Sequence, residues 1–278
     1  MADRQTVLEN WIMAGLKEIG AKPEENLYVW SQGTGFHHYN FLNGLKEHVA
    51  SPQTRQRILE EMWRYIHSVG LERANQTLGL TAAPDLEKLD QTLLAIMNDR
   101  NHPAILGMGD FVEEALYNWV RFFAVYDFAV YTYLEKHLGA KEGLKIYMEM
   151  WESFALGALE HIKAQVGIKG PDDVDMDRLG KLSRMYWEAI GCPYHVTRHD
   201  QNVHEAELGD CPYWCNLKEI LGEAKARSMS LKSLAITSVN YYDAILKALG
   251  VFDQYSFTMD KFQCCGDDHC RIRFERRG

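Results

Sequence analysis

The sequence predicts an α+β chain, predominantly helical, in which a helical N-terminal region precedes a C-terminal antiparallel sheet of two β-hairpins packed with helices. Three observations predict it. Apolar residues recur at helical spacing over most of residues 4–190. Beyond Gly191 the period shortens to two, in two pairs of short segments. Two more helical patterns lie between those pairs, so both hairpins can join one sheet with helices on one face.

The elements follow in chain order. Val7, Leu8, Trp11, Ile12, Leu16 and Ile19 share one helical face, and Gly20 and Pro23 end that run. Gln32-Gly33-Thr34-Gly35 reads as a glycine-rich turn; it lacks the lysine and the following Ser/Thr of a phosphate loop. Helices are expected over 37–49, 53–78 (opened by Ser51-Pro52), 86–97, 111–138, 141–166 and 175–190, the last stopping at Gly191. A loop from Asn98 to Pro103 separates the third and fourth of these. Tyr194 to His199 and Asn202 to Leu208 form the first hairpin, and helices follow over 212–224 and 230–249. Tyr255 to Asp260 and His269 to Arg276 form the second hairpin. In its last strand Cys270, Ile272 and Phe274 share one face, with His269, Arg271, Arg273 and Glu275 on the other.

At 278 residues, with 46% hydrophobic and 25% charged residues, the chain has the composition of a globular protein. A formal net charge of -9 repels phosphate backbones and anionic lipid, so neither nucleic acid nor a membrane surface is an expected partner. The most apolar stretch, Phe111 to Leu138, is interrupted by Glu113, Glu114, Arg121 and Asp127, which suits a buried helix and not a membrane span. No signal peptide is visible, and a cytoplasmic location is expected. Two regions are expected: residues 1–105, helical, and residues 106–278, which carry every cysteine. A shift of 88 positions aligns Ile58, Glu61, Met62, Trp63, Leu71, Glu72 and Gly79 with Ile146, Glu149, Met150, Trp151, Leu159, Glu160 and Gly167. That pattern fits a degenerate repeat, or simply two similar amphipathic helices.

Candidate chemistry concentrates in the last third. Cys211 and Cys215 are four residues apart at a helix start, where backbone N–H groups favour a thiolate. Cys264, Cys265 and Cys270 sit in and beside the last hairpin turn. Together these five could hold a thiolate-bound metal, zinc or an iron–sulfur cluster, although no CxxC pair is present. Burial of Cys270 on an apolar strand face is the plainer reading of that residue. His195 and His199 share a strand face near His204, Glu205 and Glu207, as ligand-binding or acid–base groups or as an exposed polar hairpin. His37-His38 is a weaker pair, since adjacent residues point in different directions on a helix. Aromatics encircle the helix at 111–138; they suit a core, or the wall of an apolar pocket to which Trp119 and Tyr126 would contribute.

Asp210-Cys211-Pro212-Tyr213, then Asn240 to Asp243 within a helix, then Gly266-Asp267-Asp268-His269-Cys270-Arg271-Ile272-Arg273-Phe274 resemble the L-2-amino-thiazoline-4-carboxylate hydrolase-like family. The closing Gly-Asp-x-x-Cys-x-x-x-Phe pattern also resembles the related 4-vinyl reductase-type small-molecule-binding domains. The likeness covers residues 175 to 278. It implies hydrolytic opening of a cyclic amidine or thiazoline, with Cys211 as nucleophile or ligand, Asp243 or Asp267 moving protons and Asn240 orienting substrate. Val239 stands where members often carry a cysteine. The expected function is therefore a hydrolase-like enzyme acting on a small nitrogen- or sulfur-containing metabolite. The alternatives are a non-catalytic small-molecule or cofactor-binding sensor or carrier, and a thiolate metal protein. A small-molecule ligand or substrate is the expected partner, with a homo-oligomer left open.

Overall fold

A computed structural model describes residues 4–278. The first apolar run is divided at Asn10, whose carboxamide accepts from the N–H groups of Ile12 and Met13. Helix α1 (Arg4–Leu8) precedes this cap and α2 (Trp11–Ile19) follows it. The next helix, α3 (Pro23–His48), corrects the expected turn, because Gln32 to Gly35 lie inside it. The glycines there serve packing: a Cβ on Gly35 would stand 2.5 Å from the Leu93 carbonyl oxygen of α6 (Leu86–Asn98). The run expected at 53–78 is two helices, α4 (Pro52–Ser68) and α5 (Glu72–Leu78), parted at Gly70, whose φ is +80°. The expected loop from Asn98 ends at Pro103, which opens a short helix, α7 (Pro103–Gly107), that was not expected.

Helix α8 (Val112–Leu138) is the central element. Ala115, Leu116, Trp119 and Val120 are wholly buried, and so are Phe122, Tyr126 and Val130. Such all-round burial is what an aromatic-rich helix needs. Around it pack α3, α4 and α9 (Ala140–Gln165). The chain then passes through α10 (Met176–Ala189), started by Asp175 accepting from the Arg178 N–H, into β1 (Tyr194–His199) and β2 (Val203–Leu208). Where two helices are expected there are three: α11 (Pro212–Leu221), α12 (Glu223–Lys232) and α13 (Leu234–Ala248), broken at Gly222 and Ser233. Strands β3 (Tyr255–Lys261) and β4 (Cys270–Arg276) close the chain.

The two hairpins form one antiparallel sheet, as expected, and its strand order is β1-β2-β4-β3. Strands β2 and β4 join them in a register that sets Ala206 opposite Ile272 and Leu208 opposite Cys270. One face therefore gathers Cys270, Ile272 and Phe274 with Phe257 against Tyr242 of α13. These belong to a second apolar cluster, whereas α2 to α8 and the start of α11 share a first one. The first cluster runs without a break across residues 105 and 106, from Ile12 through Ile105 to Leu134 and Trp214. The aligned segments 58–79 and 146–167 differ in build: α9 is continuous where α4 gives way to α5, although Gly79 and Gly167 both adopt positive φ after the helix. Among the described residues no helix is long and apolar enough to cross a membrane.

Candidate functional site

Where the two apolar clusters meet, a cavity of about 170 Å³ opens. It lies among α3, α8, α9, α10, α11, α13 and the turn between β3 and β4. Half of its lining residues are aromatic, and none is Asp, Glu, His, Lys or Arg. The rings form a connected wall. Trp30 meets Phe123 edge-on at 5.3 Å, Phe123 meets Trp151 and Tyr213 at 6.1 Å each, and Trp151 meets Tyr241 at 6.4 Å. Such edge-to-face sets hold their geometry by ring quadrupoles as well as by burial. Val29, exposed at one end of the wall, places part of the rim at the surface. Thr237 contributes a buried hydroxyl that has no hydrogen-bond partner among the described residues.

Three cysteines belong to this wall: Cys211, Cys264 and Cys270. Cys211 is the residue before α11, as its pattern predicts. The backbone N–H groups of Tyr213 and Trp214 draw its pKa down, but desolvation is the larger effect and the thiol is raised overall. Desolvation likewise pushes Cys215 and Cys270 up to about 12, and it raises Cys264 and Cys265. The expected thiolate at the helix start is thus overruled by burial. Cys215 and Cys265 lie outside the wall. Among the described residues no group of three or more His, Cys, Asp or Glu side chains could hold a metal ion. The five-cysteine metal set is corrected accordingly.

The other expected residues disperse. Asn240 donates to Glu152, and Asp243, half-buried, is raised by desolvation against the pull of Lys247 and Arg277. Asp267 is exposed and accepts from the Phe262 N–H at 2.7 Å, which fixes the turn. None of these three lines the cavity, so they do not assemble around Cys211. His195 and His199 are exposed on the edge strand, facing Glu18 and Asp177. An edge strand turned to solvent cannot reach an internal hollow. Trp119 and Tyr126 are also corrected from ligand-binding to core residues. Both are fully buried, with Trp119 donating to the Ile105 carbonyl at 2.9 Å and the Tyr126 hydroxyl 2.8 Å from His38 Nδ1.

A polar centre that the residue patterns did not single out lies behind the aromatic wall. Asp127, wholly buried on α8, receives three hydrogen bonds. His37 Nε2 stands 2.8 Å from Oδ1, and the hydroxyls of Tyr147 and Tyr213 donate to Oδ2 at 2.5 and 2.7 Å. Desolvation first, and the Asp127 charge second, hold both phenols well above their ordinary pKa, so they remain donors. Tyr213 belongs at once to this centre and to the cavity wall. His38 points elsewhere, to Asp90 at 2.9 Å, as neighbours on a helix must. The available signal was Asp127 itself, the one acid within the apolar run Val120–Val130. No protein-family model matches this chain, and no curated protein matches it in sequence.

Proposed function

We propose that this protein binds a small, largely apolar molecule in the aromatic cavity and acts as its carrier or sensor. The supporting observation is the lining: half aromatic, without a charged side chain, and set between two cores. Enclosed apolar pockets with a few polar points are what small-molecule sites require. Thr237 Oγ1, buried and unpartnered among the described residues, supplies such a point.

The test uses the tryptophans of the wall as reporters. Indole, a neutral aromatic probe, should quench or shift the intrinsic fluorescence saturably. Ser238→Phe, which places a ring in the lining, should weaken that binding about tenfold or more while the fold is retained. Unsaturable quenching that is equal in wild type and variant would remove the cavity as a binding site.

The hydrolase reading keeps one supporting observation, the presence of the Cys211 thiol in the cavity wall. Burial keeps that thiol protonated, and no basic side chain lines the cavity to activate it. Cyclic amidines and thiazolines incubated with the protein should be opened by wild type and not by Cys211→Ala if this reading holds. Ligand recovered unaltered from both favours the carrier.

A further inference from the structure

Asp127 is a wholly buried acid. Among the described residues its only ion-pair partner is His37, and no lysine or arginine approaches it. His37 Nε2 faces Asp127, and among the described residues its Nδ1 is buried without a partner. Three donors lower the cost of the buried carboxylate but do not cancel its field.

The position of that field matters. Asp127 is one helical turn beyond Phe123 on the same face of α8, and His37 is one turn beyond Gly33 on α3. Phe123 and Gly33 both line the cavity, so the acid lies directly behind its floor. The Tyr213 hydroxyl donates to Asp127, so a residue of the cavity wall is tied directly to the acid. Aromatic faces attract cations through their quadrupoles, and more so where water is excluded. The wall itself brings no positive group that would repel one.

We infer that the cavity takes an organic cation, a quaternary or protonated amine on a small apolar skeleton, whose charge lies against the aromatic wall and answers Asp127. This inference rests on the ligand-binding reading above and narrows its ligand class.

The experiment compares choline with its neutral tert-butyl analogue, in which carbon replaces the quaternary nitrogen, and includes indole as the neutral aromatic control. All three are titrated into the full-length protein and followed by tryptophan fluorescence and calorimetry. Choline is expected to bind about tenfold more tightly than the analogue. Asp127→Asn should bring that ratio towards one, with saturable indole binding as the check that the cavity still forms. Should the variant fail to fold, the wild-type ratio decides alone. Equal or weaker binding of choline, with indole still bound, overturns the cation and leaves the apolar cavity standing. Absence of binding by all three probes overturns both.

Discussion

His204 shows how one buried side chain ties stability to pH. Its ring lies under Gly180 of α10, where an added Cβ would sit 2.6 Å from the imidazole. Its Nε2 is 2.8 Å from the Tyr194 hydroxyl and its Nδ1 is 2.9 Å from the Nδ1 of His199. Desolvation first, and the His199 charge second, push its pKa down to about 4. In the unfolded chain a histidine titrates near about 6.5. Between those values the unfolded state binds the extra proton, so stability is full above the higher pH and drains away as pH falls through the lower one. His204→Asn removes that titration. Urea unfolding across this window should show the variant losing less stability than wild type, by about 3 kcal/mol at most. Parallel curves would show that His204 does not titrate in this way. The same balance acts at Cys211, where desolvation outweighs the helix-start hydrogen bonds.

Among the elements, the contact of α3 with α6 is set by glycine. Gly35 lets the Leu93 carbonyl oxygen and Met97 come within 2.5 and 2.9 Å of where a Cβ would be. Gly35→Ala must therefore push the helices apart, and a loss of about 1–3 kcal/mol in thermal or urea unfolding is expected. A variant as stable as wild type would mean that α6 shifts freely. The same glycine explains why Gln32 to Gly35 reads as a turn: glycine in a sequence signals chain freedom and close approach alike, and only packing separates them. Elements with strong periodicity were legible, including α8, α9, α10 and both hairpins, and alternation alone placed Cys270, Ile272 and Phe274 on the buried face. Breaks within long apolar patterns were not, because Gly70 and Ser233 interrupt helices without interrupting the apolar stripe. Of the residues expected to carry chemistry, Cys211, Cys264 and Cys270 line the cavity. Asp127, His37, Tyr147 and Tyr213 are spread over four helices, and no spacing rule links them.

For the whole molecule, the cavity is a joint. Trp30, Phe123 and Tyr213 belong to the helical cluster; Tyr242, Met259 and Cys270 belong to the cluster under the sheet, and the same hollow touches all six. An apolar hollow at such a seam forfeits contacts that both cores would otherwise share. A ligand that fills it binds the folded state alone, and at a hundredfold excess over Kd it adds about 2.7 kcal/mol. Because its contacts reach both clusters, the added stability should spread. With saturating choline or indole, whichever binds, amide exchange should slow together in α3 and α8 on one side and in β3 and β4 on the other. The midpoint of thermal unfolding should rise in step. Slowing confined to one cluster would place the ligand on that side of the seam, and the two cores would then have to be regarded as independent of the site between them.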